Sequence, residues 1–186
     1  MLVYGDRGPF KRWLRWLPSQ PEMTAHEAAT AIDESLQRAM AEDAGTGEWV
    51  AILGFSQGAK VAASVLYRQQ WLGERAGTKF RFGVLFNGRG PLFAFGEGVD
   101  GLPAASEIAD PERRDWGVVR RLEIPTLHVH GLLDEGIEMH RFMMEDFCDA
   151  KTAKVVEWQG GHRMPLKTQD IEAVTKGIRS LAVETN

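Results

Sequence analysis

The chain has a single cysteine, Cys148, among its 186 residues. One thiol cannot form an intramolecular disulfide, so we expect a reducing, cytoplasmic compartment. No apolar run approaches the roughly 20 residues of a membrane span, and the first residues lack the features of a signal peptide. Basic residues are not in excess, because 26 acidic and 22 basic side chains give a net charge of −4. Binding to nucleic acid or to a membrane is therefore not expected.

Short apolar segments alternate with amphipathic ones along the chain. The apolar segments predict strands at 49–55, 81–87, 126–131 and 153–159. The amphipathic segments predict helices at 24–43, 57–73 and 136–148, and one near the C-terminus. Because the strands are apolar throughout, we expect a mostly parallel sheet with helices on both faces. The length predicts one α/β domain, spanning 1–186.

A further short helix is predicted over 10–17, where apolar side chains recur at i, i+3, i+4 and i+7. One interpretation is a helix that only packs against the domain. The other is that Trp13 and Trp16 form a wall of an acyl-binding pocket.

The strongest local motif is Gly54-Phe55-Ser56-Gln57-Gly58, which lies between a predicted strand and a predicted helix. In that context Gly-x-Ser-x-Gly is typical of a nucleophile elbow, a turn so tight that only small residues fit two positions on either side of the serine. The turn lifts the hydroxyl off the end of the sheet and points the first helical N–H groups at a bound substrate. Ser56 is therefore the candidate nucleophile. The alternative is a glycine-rich strand–helix turn without chemistry.

Asp134 and His162 follow two later strands of the predicted sheet. Ligands of open α/β sheets bind at the carboxyl ends of the strands, where these two side chains and Ser56 are expected to meet. A serine hydroxyl needs a base to take its proton, and the base needs a carboxylate to orient it. We therefore predict a triad of Ser56, Asp134 and His162, although a loop aspartate taken alone is more usually a helix cap, here of the helix from Gly136. Other acids remain open for the third position: Glu135 and, more weakly, Asp110 and Asp115.

His128 and His130 lie two residues apart on a predicted strand, a spacing that recurs in metal-dependent hydrolases. The dinuclear pattern needs an acid at position 132 and a histidine at 133, and both are leucine. We predict structural roles for the two histidines, no metal and no cofactor. His140 is expected to be solvated or packed on its helix, and Cys148 to be an inert buried thiol.

The segment 88–113 is rich in glycine, proline and alanine and is longer than a simple connection. It is predicted to be either a linker or a lid that lines the substrate pocket. In the second case Arg89 and Gly90, at its start, would bind substrate.

Three segments carry a resemblance to a known family: Gly54-Phe55-Ser56-Gln57-Gly58-Ala59, Gly131-Leu132-Leu133-Asp134 and Gly161-His162-Arg163-Met164-Pro165. From about Tyr4 to the C-terminus, the chain resembles the fungal family of small serine hydrolases of the α/β-hydrolase fold. Some members are thioesterases that release polyketide chains from synthases, and others are carboxylesterases. The resemblance implies Ser56 as nucleophile, Asp134 as orienting acid and His162 as base. It also implies the backbone N–H of Gln57 as an oxyanion donor.

The chain departs from the family pattern at its start. Members begin with an apolar strand and a His-Gly loop that supplies a second oxyanion donor, and neither is present, so the chain resembles an N-terminally truncated domain. We expect the nucleophile strand to be a sheet edge, open to pairing with a second copy. Loss of one oxyanion donor typically lowers kcat by about 10²–10³.

The sequence thus predicts a serine hydrolase that cleaves an ester or thioester of a small or medium acyl group, with or without a carrier protein. A non-catalytic or weakly active remnant that acts as a binding domain is the first alternative. A metal-dependent hydrolase using His128 and His130 is the least favoured one.

Overall fold

The computed structural model describes residues 12–95, 101–108, 113 and 120–186. The elements follow in the order α1 (Ala25–Glu42), β1 (Ala51–Phe55), α2 (Gln57–Leu72), a 3-10 turn (Gly73–Ala76), β2 (Phe82–Phe86), β3 (Thr126–Gly131), α3 (Ile137–Phe147), β4 (Ala153–Trp158) and α4 (Thr168–Glu184). The four predicted strands and the four longer predicted helices are confirmed, with small differences at their ends. A capping box starts α1: the Thr24 hydroxyl accepts the Glu27 N–H, and the Glu27 carboxylate accepts the Thr24 N–H at 2.7 Å.

The four strands form one parallel sheet in the order β1-β2-β3-β4. In this register Phe55 at the end of β1 pairs with Phe86, which pairs with Val129. The loops that follow the strands therefore leave the sheet along one edge. Among the described residues, β1 pairs with β2 only, and the exposed side chain of Leu53 lies on it. Pairing of this edge with a second copy stays a prediction.

Helices cover both faces of the sheet, as predicted. The apolar face of α4, including Val174 and Leu181, packs with the side chains of β2 and β3 on one side. On the other side α2 and α3 form a larger core, with α1 packed outside α2. Two hydrogen bonds of 2.7 and 2.8 Å between the Arg68 guanidinium and the Asp33 carboxylate join α2 to α1.

The predicted helix over 10–17 is wrong for the part that is described, 12–17, which forms bends and irregular backbone. Side-chain oxygens take the N–H groups that a helix would use. The Gln57 side-chain oxygen accepts the N–H groups of Trp13 and Leu14 at 2.8 and 3.1 Å. The Gln20 side-chain oxygen accepts those of Trp16 and Leu17. Apolar spacing alone does not reveal this competition.

The segment 88–113 is only partly described. Its first part is anchored rather than free, because Leu92, Phe93 and Phe95 are buried and the Phe93 N–H donates to the Ser64 hydroxyl at 3.1 Å. Whether the remainder acts as a lid stays a prediction.

None of the helices in the described ranges combines the length and the apolar character needed to cross a membrane.

Candidate active site

The turn between β1 and α2 holds Ser56 in an unusual backbone conformation, with φ 55° and ψ −117°. A positive φ is strained for a residue with a side chain, and such strain is typically found at functional sites. The Ser56 N–H donates to the Phe86 carbonyl at 2.8 Å, which fixes the turn to the end of the neighbouring strand. A Cβ on Gly54 would overlap the backbone of Gly58, so the turn requires glycine at position 54.

Ser56, His162 and Asp134 form a continuous chain of short contacts at the carboxyl ends of the strands. The Ser56 Oγ lies 2.8 Å from the His162 Nε2. The His162 Nδ1 lies 2.6 Å from the Asp134 Oδ2. With the Nδ1 proton held by the carboxylate, Nε2 presents a lone pair to the serine hydroxyl, which is the tautomer that a general base needs.

Asp134 is buried between the β3–α3 turn and two histidines. Its Oδ1 accepts the N–H of Gly136, two residues later, at 2.8 Å, while Oδ2 faces His162 and, at 2.9 Å, the Nε2 of His140. Burial by itself raises the pKa of Asp134, but the hydrogen bonds from Gly136, His140 and His162 outweigh it and lower the pKa to about 2. The carboxylate is therefore ionised at neutral pH.

Asn87, directly after β2, connects the loops that carry Asp134 and His162. Its Oδ1 accepts the Gly131 N–H at 3.0 Å, and its Nδ2 lies 3.4 Å from the carbonyl oxygens of Gly161 and Arg163. Asn87 has a φ of 45°, a conformation that asparagine tolerates better than most residues. The sequence analysis missed this role, because an asparagine before a glycine at a strand end indicates a turn but not its hydrogen-bond partners.

A cavity of about 280 Å³ opens beside Ser56. Three of the predicted substrate-binding residues, Trp16, Arg89 and Gly90, line it, and the described structure places Trp13 in a separate cavity against α1 and β1. The remaining lining residues are Leu14, Arg15, Gln57, Lys60, Glu107, Ile108 and Met139. Arg15, Lys60 and Arg89 give the cavity wall an excess of positive charge over Glu107.

The backbone of Gln57 occupies the first position of α2, where an N–H has no acceptor within the helix. This N–H follows Ser56 directly, so the role of oxyanion donor expected for it stays a prediction. The Gln57 side chain has a second role, because its Nε2 donates to the Leu14 carbonyl at 2.9 Å while its oxygen binds the preceding segment. That side chain holds one wall of the cavity against the helix.

The competing acids and histidines take other places. Glu135 is exposed and has no contact with His162, and Asp110 and Asp115 lie outside the described residues. His128 is buried with its Nε2 3.1 Å from the Thr126 hydroxyl, and burial lowers its pKa to about 3. His130 is also buried, and neither of its ring nitrogens has a hydrogen-bond partner among the described residues.

In the described ranges, Asp134, His140 and His162 each place an atom that could bind a metal within 4.8 Å of the other two. They are already hydrogen-bonded to one another, with His162 also bonded to Ser56. His128 and His130 are not part of this group. Cys148 is buried too, and burial raises its pKa to about 12, which keeps the thiol protonated.

Sequence comparison identifies relatives of the whole chain. The model of the family described as "Serine hydrolase (FSH1)" matches residues 5–174. The chain is 47% identical over 198 aligned residues to the esterase claE of Penicillium crustosum, covering 98% of this chain and 75% of that protein. It is 44% identical over 198 aligned residues to the esterase citA of Monascus ruber, covering 100% of this chain and 75% of that protein.

Solved structures support the fold at low sequence identity. An esterase of Pyrobaculum calidifontis superposes with a TM-score of 0.55 at 17% identity, covering 93% of this chain and 65% of that one. The acyl-protein thioesterase 2 of Zea mays superposes with a TM-score of 0.53 at 16% identity, covering 91% and 71%. The α/β-hydrolase fold expected from the sequence is thereby confirmed, and the chain is a hydrolase that belongs to the serine hydrolase (FSH1) family.

Proposed function

We propose that the protein cleaves a carboxylic ester or thioester through an acyl-enzyme on Ser56. The observation that carries the proposal is the unbroken contact chain Ser56–His162–Asp134, with distances of 2.8 and 2.6 Å. Strain at Ser56 and the low pKa of Asp134 support it, because both are features that prepare a nucleophile and its base.

The reaction follows from this geometry in two halves. His162 Nε2 takes the hydroxyl proton of Ser56 as Oγ bonds to the acyl carbon, and the carbonyl oxygen becomes an oxyanion that the Gln57 N–H stabilises. When the bond to the alcohol or thiol breaks, His162 returns the proton to that leaving group. Water then loses a proton to His162, attacks the acyl-enzyme and releases the acid, and the proton returns to Ser56 Oγ.

The cavity wall indicates the class of acyl group. Its volume of about 280 Å³ suits a small or medium chain, and Leu14, Trp16, Ile108 and Met139 supply apolar contacts. Lys60, one helical turn after Ser56, is half-buried in this wall and forms no salt bridge with any described residue. Burial lowers the pKa of Lys60 to about 8. Burial makes the Lys60 ammonium costly, and Glu107, which acts on it without a salt bridge, offsets that cost only in part. An acyl chain with an acidic group would therefore be bound preferentially.

The relatives are fungal esterases by name, and the resemblance to polyketide-releasing hydrolases makes thioesters of secondary metabolism a second substrate class to test. A thioester could be delivered free or by a carrier protein. Esters and thioesters share the attack on the acyl carbon and differ in the leaving group only.

Covalent labelling with a fluorophosphonate probe tests the proposal. We expect the wild-type protein to be labelled and Ser56→Ala not to be. Ser19→Ala, which removes an exposed hydroxyl on a turn, is the matched control and should be labelled like the wild type.

Steady-state hydrolysis of p-nitrophenyl esters and of N-acetylcysteamine thioesters completes the test. Ser56→Ala should lower kcat/KM by about 10³-fold or more. Labelling without hydrolysis of either class would favour the non-catalytic alternative. Activity that survives Ser56→Ala and disappears with a chelator would overturn the proposal in favour of metal chemistry.

A further inference from the structure

Asp134 carries a second histidine besides the candidate base. The Oδ2 of Asp134 lies 2.6 Å from Nδ1 of His162 and 2.9 Å from Nε2 of His140. His140 belongs to α3, is completely buried and lines no part of the cavity beside Ser56. The two imidazoles stack at 27° with ring centroids 6.1 Å apart. One carboxylate oxygen thus faces two imidazoles from two different elements.

The surroundings of His140 determine which of its nitrogens carries a proton. Its Nδ1 lies 2.9 Å from the Gly88 carbonyl oxygen, so each ring nitrogen faces an oxygen that can only accept. Burial lowers the pKa of His140, and a neutral ring has one N–H to donate. The ionised carboxylate of Asp134 is a stronger acceptor than the neutral carbonyl of Gly88. An unprotonated ring nitrogen is also repelled more strongly by the charged carboxylate than by the carbonyl. The ring is therefore expected to donate Nε2–H to Asp134.

Other charged and titratable groups face this pair from the adjoining elements. The Arg89 guanidinium, after β2, lies 3.8 Å from the Asp134 Oδ1. His130, on β3, has its ring centroid 5.8 Å from that of His140, and burial lowers the pKa of His130 to about 4. His130 is thus neutral at neutral pH and makes no hydrogen bond to the carboxylate.

We propose that His140 is a positioning residue that shares the Asp134 carboxylate with His162 and so lowers the basicity of the candidate catalytic base. The physical reason is competition for one oxygen. A carboxylate that already accepts an N–H from His140 has less negative charge to stabilise the imidazolium form of His162. At the same time the His140 bond to Asp134 ties the carboxylate to α3. His140 does not touch the substrate, so its effect reaches the reaction through Asp134.

The pH dependence of kcat/KM tests this proposal, which rests on the proposed function. The acid limb of the pH profile of kcat/KM reports the pKa of the base in the free enzyme. His140→Leu removes the N–H donor to Asp134, and we expect this limb to move upward by about 0.5 pH unit or more. His140→Gln keeps an amide donor of similar reach and should restore most of the wild-type limb. His130→Leu removes a buried neighbouring histidine that has no bond to Asp134, and its limb should match the wild type.

The outcomes separate this inference from the proposed function. If the fluorophosphonate probe does not label Ser56 in the wild type, the proposed function fails. If labelling is intact but the limb of His140→Leu stays in place or moves downward, only the role of His140 is overturned. Thermal unfolding of each variant shows that the rates refer to folded protein.

A direct measurement covers the case in which His140→Leu does not fold. The 15N shifts of the histidine rings in the wild-type protein distinguish the two neutral tautomers. An Nε2–H tautomer or a doubly protonated ring at His140 supports donation to Asp134. A neutral ring with its proton on Nδ1 would give that proton to Gly88 instead and overturn the proposal.

Discussion

The backbone carbonyl of Gly58 occupies the space that a Cβ on Gly54 would need. The end of β1 and the first turn of α2 are thus in direct backbone contact across Ser56. This contact sets the φ of 55° at Ser56, and with it the direction in which the hydroxyl points.

Gly54→Ala is expected to lower kcat/KM by about 10²-fold or more, because the added methyl group forces the strand and the helix apart at Ser56. Gly47→Ala is the matched control, since a Cβ at Gly47 meets no atom within 4 Å and should leave kcat/KM unchanged. Steady-state kinetics with a p-nitrophenyl ester and the rate of fluorophosphonate labelling measure the effect. Equal rates for both variants would show that the turn tolerates a side chain at position 54.

The sequence analysis predicted the strands, their parallel direction and the approximate bounds of the longer helices. It could do so because the hydrophobic pattern within each element agrees with the structure that the element adopts. The strand β2, for example, is buried along its whole length, and a continuous apolar run of that length is typical of a central parallel strand. Ser56, Asp134 and His162 were placed together for the same reason, since each directly follows a strand that the pattern identifies.

Several contacts that the sequence did not predict join positions far apart in the chain. The His140 Nδ1 lies 2.9 Å from the carbonyl oxygen of a residue 52 positions away, and Asn87 bonds to a residue 44 positions away. A histidine within a helix and an asparagine before a glycine are common in proteins and carry no mark of these partners. The segment 12–17 differs from the predicted helix because a side chain 44 residues away takes one of its N–H groups.

Asn87→Gly and Asn87→Ala are expected to differ, because the residue has both a bonded side chain and a positive φ. Either change leaves the buried Gly131 N–H without its acceptor, which costs about 1–3 kcal/mol of unfolding free energy. Alanine adds the strain of a φ of 45°, which glycine avoids, so Asn87→Ala should be the less stable variant. Urea unfolding measures both values, and equal stability would contradict a strained backbone at this position.

Asp134 is expected to make the folded protein sensitive to acid. Its pKa is about 2 in the folded state and about 3.9 when unfolded, so its contribution is complete above about pH 4 and is lost as the pH falls through about 2. A shift of this size corresponds to about 2 kcal/mol of unfolding free energy.

Unfolding free energies of the wild type and Asp134→Asn at pH 7 and pH 2 check this contribution. The difference between the two proteins should shrink by about 2 kcal/mol at the lower pH. Asp43→Asn, which changes an exposed carboxyl at the end of α1, should follow the wild type at both values. If the difference in unfolding free energy between the wild type and Asp134→Asn does not depend on pH, the Asp134 carboxyl has the same pKa in the folded and unfolded states.

Lys60 is expected to favour acyl chains that end in a carboxylate. The other two cations of the cavity already have partners: Arg15 donates to the Pro18 carbonyl at 2.6 Å, and Arg89 lies 3.8 Å from Asp134. Lys60 alone among these cations forms no salt bridge with a described residue. The mono-p-nitrophenyl ester of glutaric acid and the p-nitrophenyl ester of valeric acid differ only in the terminal group, so the ratio of their kcat/KM values isolates its effect.

The wild-type enzyme should prefer the glutarate ester, and Lys60→Met, which keeps the apolar stem, should reduce the ratio by about 10- to 100-fold. Lys60→Arg keeps the charge and should keep most of the preference. Because burial lowers the pKa of Lys60 to about 8, the ammonium is present below that pH and is lost above it, so the wild-type ratio should fall as the pH rises through about 8. A ratio that is the same in the wild type and in Lys60→Met, or that does not change between pH 7 and pH 9, would exclude Lys60 as the group that selects the acid.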